Sequence, residues 1–108
     1  MEVGYASQRL ANTCASSKKL IREFGQVRAK RIMVRLQQLR VADTLADLRL
    51  VTTRVHELTG DLKGSIALDL DGPFRLLFEP VDWITNEQGG LDWSAVDSVV
   101  VTQVIDYH

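Results

Sequence analysis

The stretch that decides the fold runs from Arg54 to Pro80 and reads RVHELTGDLKGSIALDLDGPFRLLFEP. Its apolar residues recur largely at every second position, which is typical of strands that bury one face. The alternation predicts three strands, over residues 54–58, 65–70 and 74–79. A turn at 59–64 and the turn signal Asp71-Gly72-Pro73 separate these strands, and Pro80 ends the last one. We therefore expect consecutive antiparallel strands.

The chain before this stretch has the apolar spacing of helices. Val3 and Tyr5 fit a short first strand, and the pattern becomes helical from Ser7. The clearest helix is predicted over residues 27–41, because apolar residues recur there at three- and four-residue intervals. Further signals for helix ends are Ser16 or Ser17 as a cap, Gly25 as a stop, and Thr44 as the cap of a brief turn through Leu48. Two main helices are therefore expected.

The chain closes with a valine-rich strand over residues 98–107, after a loop at 81–96 that contains Asn86, Gly89 and Gly90. Helices followed by sequential strands predict an α+β domain. We expect a single domain over residues 1–108. An N-terminal helical pair, preceded by the short strand, packs on a mostly antiparallel sheet of four to five strands.

Charge is distributed unevenly along the chain, although the formal net charge is only −1. Residues 1–63 contain 12 Lys and Arg against 6 Asp and Glu, whereas residues 64–108 contain 1 against 8. A basic half can attract phosphates even when the total charge is slightly negative. A solvated helix surface is the alternative explanation of the same charges. The basic side chains of the main helix are Arg28, Lys30, Arg31 and Arg35.

The composition also bounds the class of protein. Cys14 is the only cysteine, so an internal disulfide or a cysteine-rich metal site is not expected. No apolar segment reaches membrane-spanning length, and Met1 does not begin a charged-then-apolar signal peptide. We therefore expect a cytoplasmic protein. Metal-ligand spacing, a glycine-rich phosphate loop and a nucleophile elbow are not found in the sequence, so no cofactor is predicted.

The two histidines are the main candidates for chemistry. His56 falls in the first predicted strand of the sheet segment, on the face opposite Val55 and Glu57, and His108 ends the last strand. In a regular final strand Asp106 and His108 share one face and Tyr107 takes the other. Parity thus permits His56, Arg75 and His108 to converge on one surface. Histidine suits proton transfer near neutral pH, and the planar donors of arginine suit a phosphate.

RNA is the natural substrate for such a set, because its ribose 2′-hydroxyl is an internal nucleophile beside the phosphate it attacks. An enzyme needs only to remove that proton, stabilise the crowded phosphate and protonate the leaving oxygen. Each residue also has a purely structural explanation. His56 fits a hydrogen-bonded strand histidine, His108 a terminal residue, and Arg75 a partner for Asp69 or Asp71.

Three segments together resemble the HigB-like branch of the RelE/ParE superfamily, the killer proteins of bacterial type II toxin–antitoxin modules. The first is the pattern His-x-Leu-x-Gly-Asp-x-x-Gly at residues 56–64, and the others are Phe74-Arg75-Leu76-Leu77-Phe78 and the ending Asp106-Tyr107-His108. The stretch 82–93 is similar to the longer loop of one HigB-like subgroup. The likeness covers nearly the whole chain. Thr59 departs from it, because the family pattern has a lysine there, and Lys63 in the following turn is the candidate substitute.

The resemblance implies a microbial-ribonuclease-like fold that enters the ribosomal decoding site and cuts messenger RNA. It assigns acid and base roles to His56 and His108, phosphate stabilisation to Arg75, base stacking to Tyr107, and positioning to Asp106. The basic helix residues would dock on ribosomal RNA. The implied partner is a helix-turn-helix, HigA-like antitoxin, bound in a heterodimer or heterotetramer.

Two alternatives remain open at this point. ParE-like relatives have the same scaffold but poison DNA gyrase without hydrolysing RNA, and the fold cannot separate the two activities. The paired histidines favour the nuclease. A catalytically weakened module that only binds its antitoxin is the third reading, and Thr59 is the residue that supports it.

Overall fold

The computed structural model describes residues 1–106 and has the α+β class predicted from the sequence. Within these residues there are four α-helices: α1 (Gln8–Cys14), α2 (Ser17–Phe24), α3 (Gln26–Val41) and α4 (Leu45–Val51). Five strands follow the order β1 (Glu2–Tyr5), β2 (Val55–Glu57), β3 (Ile66–Asp69), β4 (Phe74–Pro80) and β5 (Ser98–Asp106). Short 3-10 turns occupy Gly60–Leu62 and Trp93–Ala95.

The helical half is divided more finely than predicted, because polar caps interrupt it. The side-chain oxygens of Ser7, Ser16 and Thr44 each accept a hydrogen bond from a backbone N–H in the first turn of α1, α2 and α4. Gly25 ends α2 with a φ of 82°, a value that favours glycine. The expectation of two main helices is therefore wrong, since four separate helices form within residues 1–106.

None of these helices can cross a bilayer. The longest, α3, has 16 residues and carries charged side chains along its length. Within residues 1–106, no helix is both long and apolar enough to span a membrane.

The sheet has the strand order β1-β5-β4-β3-β2. The pairs β2–β3, β3–β4 and β4–β5 are antiparallel, as the turn signals predicted, and β1 pairs with β5 in parallel. The mostly antiparallel sheet of four to five strands is thus confirmed with five strands. The parallel pair makes β5 an interior strand between β1 and β4.

A β-bulge in β5 decides which valines face the helices. Leu77 pairs with Gln103 and Phe78 with Val101, so Thr102 is an extra residue on the β5 side. The Thr102 hydroxyl donates to the Leu77 carbonyl at 3.2 Å. Because of this insertion, Val101 and Val104 both point toward the helices despite their odd spacing.

One side of the sheet, here called the helix face, packs against the helices and forms the core. Leu68, Leu76 and Phe78 of the sheet are fully buried against apolar residues of α3 and α4. The opposite side is called the second face. Ala67 and Leu77 are also buried, but their neighbours along each strand belong to the helix face, so these two lie on the second face.

Residues 81–96, predicted as an irregular loop, are partly ordered by local hydrogen bonds. Thr85 and Leu91 form an isolated antiparallel bridge, and the Asn86 side-chain oxygen accepts from the backbone of Gln88 and of Gly90. Leu91 and Trp93 are buried in the core and anchor the end of the segment.

Candidate functional site

The strand register brings the predicted His56 and Arg75 to the second face. His56 pairs with Ala67, which pairs with Leu77, so these residues form one row across the sheet. Asp69 pairs with Arg75, which pairs with Ile105, and forms the next row. Paired residues lie on the same side of a sheet. His56, Asp69 and Arg75 therefore lie on the second face, away from the helices.

Asp69 is the centre of this cluster. Its Oδ1 lies 2.8 Å from Nε of Arg75, and its Oδ2 lies 3.2 Å from Nε2 of His56. Nη1 of Arg54 approaches Oδ2 at 3.9 Å. The Arg75 contact is an ion pair without hydrogen-bond alignment, because Oδ1 has no hydrogen-bond partner among residues 1–106. One carboxylate thus holds two guanidinium groups and an imidazole together; we call this the Asp69 cluster.

The carboxylate fixes the role of each imidazole nitrogen. An ionised carboxylate only accepts hydrogen bonds, so Nε2 of His56 must be the donor in the 3.2 Å contact. In a neutral ring the proton then lies on Nε2, and Nδ1 keeps its lone pair. The His56 side chain is half exposed. The arrangement therefore orients Nδ1 as a base that a ligand can reach, in the way that a carboxylate orients the base of a hydrolytic triad.

Arg75 is tied to the β3–β4 turn as well as to Asp69. Its Nη1 donates to the carbonyls of Gly72 and Phe74, each at 3.1 Å. Its Nε faces Asp69, and its side chain is 23 % exposed. The contacts of Arg75 with the described residues use Nε and Nη1, so Nη2 is the remaining donor group of this side chain.

Arg35 approaches the Asp69 cluster from the helix side of the sheet. The expectation that it lies on an exposed basic surface is wrong, because the residue is only 9 % exposed. Its Nε donates to the Asp69 backbone carbonyl at 2.8 Å, and its Nη1 donates to Gln38 and Thr52. Burial lowers the pKa of Arg35, while the nearby Asp69 charge acts in the opposite direction.

The other predicted helix cations differ in their availability. Arg28 makes a bidentate contact with the Asp71 carboxylate, in which Nε and Nη2 each donate at 3.0 Å. Its guanidinium carbon also lies 3.3 Å from the centroid of the Phe74 ring. Lys30 and Arg31 are exposed and border a depression of about 380 Å³ on α3. Of the four predicted cations, all within the described residues, only Lys30 and Arg31 are therefore exposed.

Lys63, the candidate substitute for the family lysine, lies beside a different surface. It borders a groove of about 360 Å³ together with Glu57, Trp83 and the glycine-rich turn of the 81–92 segment. Glu57 is the neighbour of His56 but faces the opposite side of β2. The groove is therefore reached from the Glu57 side of the strand.

The predicted C-terminal residues are only partly described. Asp106 pairs with Phe74, one position from the Arg75–Ile105 pair, so it lies on the helix face, as its expected parity with Val104 requires. The structure thus separates Asp106 from His56 and Arg75 by the thickness of the sheet. The predictions for Tyr107 and His108 fall outside the described residues.

Asp69 is the functional candidate that sequence reasoning missed. The sequence suggests Asp69 only as an acid that Arg75 neutralises, yet the turn at 71–73 places it directly opposite Arg75 in a hairpin. The position of that turn in the sequence is enough to predict that Asp69 and Arg75 are paired across the hairpin.

No family model, curated protein or solved structure matches this chain.

Proposed function

We propose that this protein is the toxin of a type II toxin–antitoxin module and a HigB-like member of the RelE/ParE superfamily. Its activity would be cleavage of messenger RNA on the ribosome without a metal ion. The observation that carries the proposal is the Asp69 cluster, which sets an oriented imidazole beside a guanidinium on the second face. Together they supply a base and a phosphate-binding cation on one surface.

The chemistry follows from the free atoms of the cluster. Nδ1 of His56 takes the proton from a ribose 2′-hydroxyl, and the freed oxygen attacks the adjacent phosphorus. Nη2 of Arg75 stabilises the charge that develops on the phosphate oxygens. The bond to the 5′-oxygen of the next nucleotide breaks, and that oxygen takes a proton from a second acid, the role proposed for His108. The products are a 2′,3′-cyclic phosphate and a 5′-hydroxyl.

Recognition in this proposal is electrostatic. Lys30 and Arg31 would contact the phosphate backbone of ribosomal RNA without reading its sequence. Tyr107 would stack on a base of the messenger, whereas Asp106, expected to position a histidine or ribose, lies on the helix face and takes no part on the second face. The protein would act in the cytoplasm, where a HigA-like helix-turn-helix antitoxin would hold it in a heterodimer or heterotetramer.

The direct test adds the purified protein to translating ribosomes and maps cuts in the messenger. Discrete cuts are expected with the unaltered protein, and His56→Gln should slow them by about 10²- to 10⁴-fold, the usual contribution of a general base. Arg22→Met, which removes an exposed cation of α2, is the matched control and should cut at the parent rate. Equal rates for His56→Gln and the parent would remove His56 from the mechanism.

A specific observation supports a second candidate, a module that binds its antitoxin but cleaves weakly. Asp69 compensates the charge of both Arg54 and Arg75, and Thr59 supplies no further cation where the family pattern has lysine. Normal growth on overexpression, with no messenger cuts, would favour this candidate. Loss of gyrase supercoiling without RNA cleavage would instead favour a ParE-like toxin.

A further inference from the structure

Arg35 is the only arginine or lysine of residues 1–106 that is buried, and it has no carboxylate as a direct hydrogen-bond partner. Its three acceptors are a backbone carbonyl, an amide oxygen and a hydroxyl. Burying a guanidinium is costly unless its donors are satisfied, and a well-packed apolar side chain often serves stability as well or better. A role in stability alone therefore explains this residue poorly.

Two of the three acceptors of Arg35 belong to the segments that carry the Asp69 cluster, and the third, Gln38, lies on α3 itself. The Asp69 carbonyl, 2.8 Å from Nε, ends β3. The Thr52 hydroxyl, 3.3 Å from Nη1, also accepts the backbone N–H of Arg54 at 3.0 Å. Thr52 lies in the link from α4 to β2, three residues before that strand begins. One guanidinium thus ties α3 to the start of β2 and to the end of β3.

The β2–β3 connection needs such a tie. β2 has only three residues and is the edge strand, so few ladder hydrogen bonds fix its position. His56 is the central residue of β2, and its contact with Asp69 spans β2 and β3. A shift of β2 along β3 would separate the imidazole from the carboxylate. Arg35 opposes this shift because its planar fork contacts the Asp69 carbonyl and the Thr52 hydroxyl at once, which a lysine cannot reproduce.

We propose that Arg35 is a positioning residue for the Asp69 cluster: from the helix side it holds β2 and β3 in register, so that Asp69 keeps the His56 ring oriented on the second face. This inference rests on the proposed nuclease function for its effect on catalysis. Its structural half stands independently of that function.

Native-state hydrogen exchange tests the structural half. The amides of Arg54 and Asp69 both belong to the region that Arg35 ties down, since the Asp69 N–H donates to the Arg54 carbonyl at 3.0 Å. In Arg35→Met, the exchange rates of these two amides should rise at least about 10-fold more than the exchange rates of the amides of β4 and β5. A uniform change across the sheet would show a role in global stability only and would overturn the proposal.

A milder pair of variants covers the case in which Arg35→Met fails to fold. Thr52→Val removes the hydroxyl that links Arg35 to the Arg54 amide, and Thr52→Ser keeps it. Thr52→Val should reproduce the local loss of protection, and Thr52→Ser should restore it. Equal protection in the two variants would contradict the linkage.

Single-turnover cleavage tests the catalytic half. Misplacing a base by about 1 Å can cost about 10²-fold in rate, so Arg35→Lys should lower kcat by about 10- to 100-fold with little change in KM. Arg22→Met should alter neither constant. Parent-like kcat in Arg35→Lys would overturn the positioning role. If the unaltered protein cuts no RNA, the proposed function fails, and hydrogen exchange alone then decides whether Arg35 holds the register.

Discussion

The Asp69 carboxylate contacts two guanidinium groups and the His56 imidazole at different distances and exposures, and these differences predict which coupling energy is largest. The Arg75 pair is the closest, at 2.8 Å, and the side chains are 23 % and 15 % exposed. The His56 pair is at 3.2 Å with a half-exposed ring, and the Arg54 pair is at 3.9 Å with a side chain 68 % exposed. Solvent weakens exposed pairs strongly.

Double-mutant cycles measure these couplings one at a time. We expect about 1–2 kcal/mol between Asp69 and Arg75, between the values typical of exposed and of buried pairs. The couplings to His56 and to Arg54 should each be about 0.5 kcal/mol or less. The cycles combine Asp69→Asn with Arg75→Met, His56→Gln or Arg54→Met, and each free energy of unfolding comes from urea titration.

The neighbouring carboxylate provides a matched control. Asp71 pairs with Arg28 through two 3.0 Å contacts and makes no ion pair with Arg75 within the described chain. Asp71→Asn combined with Arg75→Met should therefore be additive within about 0.5 kcal/mol. A coupling of Asp69 to Arg54 as large as that to Arg75 would refute the reasoning from distance and exposure.

Three further predictions concern the core and the aromatic residues. Burial raises the pKa of the Cys14 thiol from 9.0 to about 11, so the thiol loses its proton at lower pH in the unfolded chain than in the folded one. The free energy of unfolding of the parent should therefore fall relative to that of Cys14→Ala as pH rises from about 9 to about 11. An equal dependence of the two free energies on pH would contradict this. Acrylamide should quench the fluorescence of Trp83, which is 47 % exposed, far more than that of Trp93, which is 7 % exposed. Trp83→Phe should therefore remove the quenchable fluorescence, and unchanged quenching in this variant would contradict the exposure of Trp83. Phe78→Ala should lower the free energy of unfolding by about 3–5 kcal/mol in urea titration, because Phe78 is fully buried, and a loss below about 1 kcal/mol would show that the site is not part of the core.

Local signals in the sequence account for most of the elements. Alternation located β2, β3 and β4, and the side-chain oxygens of Ser7 and Thr44 cap the helices that were expected to begin there. The pairing of β1 beside β5 could not be predicted, because a parallel contact between the two ends of the chain leaves no turn signal. The extra residue in β5 was equally hidden, since threonine fits a regular strand as well as a bulge.

The spacing of apolar residues in α3 indicates that Arg35 is buried, whereas its charge suggests that it is exposed. Arg35 is three residues after Ile32 and four before Leu39, both of which are fully buried, so it lies on the apolar stripe of α3. The usual rule that arginine is exposed therefore predicts the wrong position for Arg35, on the basic surface of the helix. Charged residues on an apolar stripe are better treated as candidates for buried hydrogen-bonded networks, such as the one that joins Arg35 to Asp69 and Thr52.

The chemical structure of the cut RNA ends tests the central claim most directly. Attack by the 2′-hydroxyl leaves a 2′,3′-cyclic phosphate on one fragment and a 5′-hydroxyl on the other. We expect mass spectrometry of messenger cut on translating ribosomes to find these ends with the unaltered protein and to lose them with His56→Gln. Cuts that end in a 3′-hydroxyl and a 5′-phosphate, or an intact messenger, would contradict acid–base cleavage by the Asp69 cluster.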